Sequence, residues 1–109
     1  IFFGVYNDRN ELIGVNSCHQ TSDTHMRSRG LYVEPAYGGR GLGQYLLKAA
    51  IHVATTNNFE VIWSLPKSKA FKTYESVGFV CEDGELIDSY RVCGVMQKEH
   101  NCYAEKKLK

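Results

Sequence analysis

Leu31-Tyr32-Val33-Glu34-Pro35-Ala36-Tyr37-Gly38-Gly39-Arg40-Gly41-Leu42-Gly43-Gln44-Tyr45-Leu46-Leu47 is the stretch on which the fold turns. Leu31, Tyr32 and Val33 close a strand-like run that starts at Met26. Glu34-Pro35 stops it, because proline has no N–H to give to a ladder. Glycines then crowd residues 38–43. After them Leu42, Tyr45, Leu46, Ala49 and Val53 recur at helical spacing, i, i+3, i+4, i+7 and i+11, until Asn57-Asn58. The order is therefore strand, glycine loop, amphipathic helix. Such a junction suits an anion: glycines let the backbone approach closely, and N–H groups at the helix start point outward in the positive end of the helix dipole. Arg40 adds a formal charge and a forked set of donors. A diphosphate fits this arrangement, and a loop that merely turns the chain is the plainer alternative.

Working outward, Ile1 to Tyr6 reads as a strand, Asn7-Asp8-Arg9-Asn10 as a turn, and Glu11 to His19 as the second arm of a hairpin. Downstream, Phe59-Glu60-Val61-Ile62-Trp63-Ser64-Leu65 is nearly unbroken apolar text, which suits a central strand buried on both faces. Pro66 ends it, and residues 68–77 read as a helix with Ala70, Phe71, Tyr74 and Val77 on one face. Gly78 closes that helix in the left-handed conformation. Phe79-Val80-Cys81 and residues 90–96 are the last two strands, joined by the polar turn Glu82-Asp83-Gly84-Glu85. The order β-β-β-α-β-α-β-β predicts an α/β (α+β) fold, a mixed and mostly antiparallel sheet flanked by helices. Residues 1–100 make the core. Residues 101–109, ending in Glu105-Lys106-Lys107-Leu108-Lys109, read as a polar basic tail.

Two common phosphate motifs fail at one residue, Gln44. Gly38 and Gly43 have the separation of a Walker loop, but Gln44 stands where its lysine belongs. Gly39 and Gly41 begin a dinucleotide fingerprint, but Gln44 again replaces its third glycine. An ATP- or NAD-using enzyme is disfavoured on both counts. The quoted stretch instead resembles the acetyl-CoA loop of the GNAT N-acetyltransferase superfamily, Q/R-x-x-G-x-G/A after a strand ending V-x-P. Gly41 and Gly43 match, while Gly38 departs from the usual Gln or Arg. A second stretch, residues 67–79, resembles the same family's N-x-x-A-x-x-L-Y-x-x-x-G-F motif. Ala70, Tyr74, Gly78 and Phe79 match, and Lys67 and Thr73 depart. The resemblance covers residue 1 to about residue 98, and the family's usual first strand and two helices have no counterpart in it.

The resemblance implies direct transfer of an acetyl group from acetyl-CoA to an amine. It implies that Gly38, Gly39, Arg40, Gly41, Leu42, Gly43 and Gln44 hold the pyrophosphate of coenzyme A. Leu31, Tyr32 and Val33 pair with the pantetheine arm, and Lys67, Ala70 and Tyr74 complete the site. Tyr74 matches the tyrosine that protonates the departing thiolate; on helical periodicity alone it reads as a core aromatic. The base is open. The positions where the family often places one hold Arg27 and Ile62. His25 shares a strand face with Arg27 and is the candidate of suitable residue type. His19, Glu34 and a water relay are weaker alternatives. The same residues also allow a second function, a domain that binds acyl-CoA without turning it over.

Composition narrows the partners. A net charge of +1 gives no general attraction to nucleic acid or acidic membranes, and no apolar run approaches the roughly 20 residues that span a bilayer. Cys18, Cys81, Cys93 and Cys102 form no C-x-x-C pair, so no metal is expected, and they read as free thiols of a cytoplasmic protein. The expected acceptor is a small-molecule or peptide amine. An open sheet edge at the first strand invites pairing with a second copy.

Overall fold

The computed structural model describes residues 1–67, 70–81, 88–92, 95–99 and 103–109. Among these residues eleven elements follow one another: β1 (Phe2–Tyr6), β2 (Leu12–Gln20), β3 (His25–Val33), a 3-10 turn (Pro35–Tyr37), α1 (Leu42–Thr56), β4 (Val61–Ser64), α2 (Phe71–Ser76), β5 (Val80–Cys81), β6 (Asp88–Val92), β7 (Val95–Glu99) and β8 (Ala104–Lys107). Six strands form one sheet in the order β1-β2-β3-β4-β8-β5, and β6 and β7 form a separate antiparallel pair. In the main sheet only β3 and β4 run parallel.

The first hairpin forms as its sequence dictates. Asn7 Oδ1 accepts from the backbone N–H of Arg9 at 2.9 Å and of Glu11 at 3.0 Å, so one side chain satisfies two of the turn's donors. β1 and β2 then pair from Phe2 opposite Ser17 to Tyr6 opposite Leu12.

β2 and β3 carry the feature that shapes the rest. Val15 faces Tyr32 and Ser17 faces Arg29, so β3 has one residue more than β2 between those pairs. The extra residue sits at Gly30, whose φ of +83° is open to glycine and costly to residues with a Cβ. This bulge changes which residues face inward. Before it Met26 and Ser28 are buried; after it Leu31 turns in to pack on the core.

The core lies between the sheet and α1. Leu47, Ala50, Ala54, Ile62, Phe79 and Ala104 are buried in one cluster with Cys18, Met26, Phe59 and Tyr74. The buried stripe of α1 is Leu46, Leu47, Ala50 and Ala54, about one position round from the expected stripe. Tyr45 is 67% exposed and belongs to the solvent face. The small side chains of Ala50 and Ala54 let the helix lie close to the sheet. Burial also raises the Cys18 thiol above its ordinary value. β4 is half of what its apolar text suggests: Ile62 and Ser64 are buried, while Val61 and Trp63 are only partly covered. Gly78, at φ +100°, ends α2 as expected.

The carboxy-terminal segment requires a correction. Residues 104–107 are not a solvated tail. Ala104 to Lys107 pair with Ser64 to Val61 on one side, and Ala104 and Glu105 pair with Cys81 and Val80 on the other. Ala104 is fully buried, and Leu108 packs against the core. The charges of Glu105 and Lys106 mask a strand whose small residue, Ala104, belongs to the buried core. Of residues 90–96, expected as one strand, residues 90–92 belong to β6 and residues 95–96 to β7. The expected turn at residues 82–85, together with Cys93 and Cys102, lies outside the described residues. No helix among the described residues is long and apolar enough to cross a membrane.

Candidate active site

β3 and β4 pair only from His25–Val61 to Arg27–Trp63, and then they part. β3 continues to Val33 while β4 ends at Ser64. At the fork a side chain replaces the ladder: Ser64 Oγ donates to the Ser28 carbonyl at 2.7 Å. Beyond it, the edge of β3 that faced β4 has no strand against it among the described residues. The opening is a cleft of about 590 Å³, walled by β3 from Arg27 to Val33, by Gly43 of α1, by residues 64–67, and by Ala70, Thr73 and Tyr74.

The glycine loop sets one end of this cleft. Gly39 and Gly41 have φ of +76° and +78°, and Gly41 is the N-cap of α1. No side chain caps the helix, and its first turn contains no acidic residue. The first helical bond after the loop runs from Tyr45 N–H to Gly41 carbonyl at 3.0 Å, so the amides of Leu42, Gly43 and Gln44 precede it. Gly43 also marks a close approach. A Cβ there would stand 3.1 Å from Thr73 Cγ2, so its absence lets α1 and α2 converge beside the cleft. Gln44 ties the same helices together, donating from Nε2 to Ser76 Oγ at 3.0 Å.

Tyr74 lies at the fork. It is 3% exposed, its ring meets Phe79 edge-on at 5.0 Å, and its hydroxyl is 3.2 Å from Ser64 Oγ. Ser64 has a single proton and gives it to the Ser28 carbonyl, so Tyr74 is the donor of this pair. Behind Ser28, its hydroxyl exchanges bonds with Asn16, at 3.0 Å from Nδ2 and 3.2 Å from Oδ1. A buried polar chain thus runs from β2 through β3 and β4 to α2 and ends on a phenol in the cleft wall.

Among the residues expected in the site, Leu31, Tyr32, Val33, Gly43, Lys67, Ala70 and Tyr74 line the cleft together. Gly38, Gly39, Gly41, Leu42 and Gln44 form the loop and helix start beside it without lining it. Arg40 lies over the Tyr37 ring, 5.2 Å from its centroid, and lines a second depression against β1. His25 is not brought to the cleft. It sits inside the paired part of β3, with Nδ1 2.7 Å from Thr24 Oγ1, about 20 Å along the strand from Leu31 at roughly 3.3 Å per residue. The physical reason is that the cleft opens only after Arg27, downstream of His25. His19 and Glu34 are also absent from the lining. The sequence reading missed Ser64, Arg29 and Gly30. A glycine inside a strand pattern is a bulge signal, and a hydroxyl in apolar text demands a buried partner, so Gly30 and Ser64 each left a trace.

Comparison with known proteins decides the family. Residues 1–81 match the acetyltransferase (GNAT) domain. The chain belongs to the GNAT acetyltransferase family. Solved structures share the fold of this GNAT domain. A putative N-acetyltransferase from Lactobacillus plantarum superposes with a TM-score of 0.75 at 24% identity, over 99% of this chain and 68% of that one. A GNAT family acetyltransferase from Elizabethkingia anophelis with acetyl-CoA bound gives 0.77 at 15%, over 97% and 74%. A GNAT superfamily phosphinothricin acetyltransferase from Sinorhizobium meliloti in complex with acetyl-CoA gives 0.78 at 14%, over 98% and 60%. No curated protein matches the chain.

Proposed function

We propose that this GNAT domain transfers the acetyl group of acetyl-CoA to a primary amine by direct attack within the cleft between β3 and β4. The observation that carries the reading is the fork. It presents a strand edge that is unpaired among the described residues, between two groups the reaction needs: a helix start rich in free amides and a buried phenol. Two of the similar structures described above hold acetyl-CoA.

Acetyl-CoA brings an activated thioester whose sulfur leaves as a thiolate. The protein's part is to bind, orient and supply a proton. Amides of the loop 38–44 and the positive end of α1 hold the pyrophosphate. The free edge of Leu31 to Val33 offers backbone partners to the pantetheine amides. Gly43 leaves room where α1 meets α2. Tyr74 donates its phenolic proton toward the sulfur, and Ser64 keeps the ring oxygen in register by accepting from it beforehand.

No histidine or carboxylate stands among the described residues of the cleft wall, whereas Arg27, Arg29 and Lys67 do. Like charge favours the neutral form of an amine. The cleft thus promotes the nucleophilic state of the acceptor electrostatically, and its proton leaves to water. The same lack of a base favours a second reading, a domain that senses acyl-CoA without turnover. Thiol release from acetyl-CoA, measured over a panel of amines beside calorimetric titration of coenzyme A, separates the two. Turnover on any amine supports the transferase. Tight binding with no turnover on all of them supports the sensor. Binding of ATP or NAD in place of coenzyme A would discard both.

A further inference from the structure

We infer that Arg27 and Arg29 form an anion subsite in the cleft, and that the acceptor amine carries a carboxylate held there. This rests on the acetyl-CoA reading above and specifies its second substrate.

The two arginines are two residues apart on β3 and share one face of the strand, and both line the cleft. Arg27 is held in place: its guanidinium carbon lies 5.0 Å from the centroid of the Trp63 ring, which stacks on Tyr103 at 5.7 Å. Its Nε is buried and has no hydrogen-bond partner among the described residues. The guanidinium lines the cleft as a planar, positively charged fork of donors, and a carboxylate is the group that such a fork fits. Arg29 is exposed beside it, and the ion pair found among the described residues, Arg9 with Glu11, involves neither. The described lining of the cleft contains three cationic side chains and no acid.

Position separates this subsite from the pyrophosphate site. The glycine loop follows Val33, whereas Arg29 and Arg27 lie about 13 and 20 Å back along β3, on the far side of the Gly30 bulge, at roughly 3.3 Å per residue. Between them and the loop stand Leu31 to Val33, the stretch assigned to the pantetheine arm. An anion bound at Arg27 and Arg29 therefore belongs to another molecule. A forked guanidinium matches a carboxylate with two parallel bonds, and a polyamine would bring like charge to the same spot. The acceptor class this selects is the amino carboxylate, either a free amino acid or a short peptide with a free carboxyl end.

The test compares free amino acids, dipeptides, matched amino-acid amides and diamines as acceptors at saturating acetyl-CoA. Coenzyme A binding is followed separately by calorimetry. In the wild type, kcat/KM for a carboxylate-bearing acceptor should exceed that for its amide by roughly 10- to 100-fold, the size of one charge-assisted contact. Amino acids and dipeptides then show which carboxylate is used. R29Q should bring the ratio near one while coenzyme A binds as tightly as before, and R27K, which keeps charge but loses the fork, should fall between. Because Arg27 packs on Trp63, R27Q is read only with a melting curve beside it, and exposed Arg29 carries the decision. Amides or diamines turned over as well as amino acids, or R29Q weakening coenzyme A binding, would overturn the assignment. No binding of coenzyme A by the wild type would instead remove the transferase reading itself.

Discussion

Replacing Tyr74 by Phe separates the structural from the chemical use of one hydroxyl. The substitution keeps the ring and its edge-on contact with Phe79 at 5.0 Å. It removes one neutral hydrogen bond, donated to Ser64 Oγ over 3.2 Å. Ser64 keeps its own donor satisfied by the Ser28 carbonyl at 2.7 Å, so no buried donor is orphaned. The stability cost is then at the lower end of the usual range, about 0.5–1 kcal/mol. For a domain near 100 residues that is a fall in Tm of a few degrees, at roughly 4–8 °C per kcal/mol. Loss of a general acid is much larger, on the order of 10² to 10⁴ in rate, or about 3–5 kcal/mol of barrier. Steady-state thiol release with a good amine acceptor, a thermal melt and a coenzyme A titration measure the three quantities on one preparation. The expected result is kcat lowered at least a hundredfold, Tm lowered slightly, and coenzyme A affinity kept. A variant that retains more than about a tenth of kcat with an unchanged melt would show that Tyr74 is a packing residue, and the chemical role argued for it would fall.

Other outcomes follow from the same geometry. With no base in the described cleft wall, kcat/KM should climb about tenfold per pH unit up to the acceptor's own pKa; a plateau set by a protein group between pH 5 and 8 would contradict this. Gly43→Ala should cost about 1–3 kcal/mol and weaken coenzyme A binding, because its Cβ meets Thr73 Cγ2 at 3.1 Å, and Thr73→Ser should recover part of the loss in denaturant melts. Cys18 should resist alkylation in the native protein, as peptide mapping would show. Its thiol is raised above the ordinary 9.0, so the unfolded chain ionises first, and this contribution to stability is intact below that pH and lost as pH rises through the folded value. Ala104→Asp would bury a charge between β4 and β5, and the soluble folded yield should collapse.

Local patterns were legible wherever one element decides them. The loop between Val33 and Leu42, the capping Gly78 and the Asn7 turn all follow from the chemistry of single residues. What stayed hidden depends on pairs of distant elements. Nothing in residues 25–33 alone says that β4 leaves β3 after Arg27, so His25 and Arg27 looked equivalent when only Arg27 reaches the cleft. The partner of the Tyr74 hydroxyl is Ser64, and no spacing rule connects them. Glu105-Lys106-Lys107 has the composition of a solvated end, and it joins the sheet because Ala104 and Leu108 reach the core on either side of the charges.

That last strand has a consequence during synthesis. Among the described residues β5 meets the main sheet only through β8, which wedges between two strands made more than twenty residues earlier. Until residues 104–107 leave the ribosome, the nascent chain carries two unsatisfied strand edges. Closure of the sheet is therefore a late event that nucleation in the β1–β3 meander cannot bring forward.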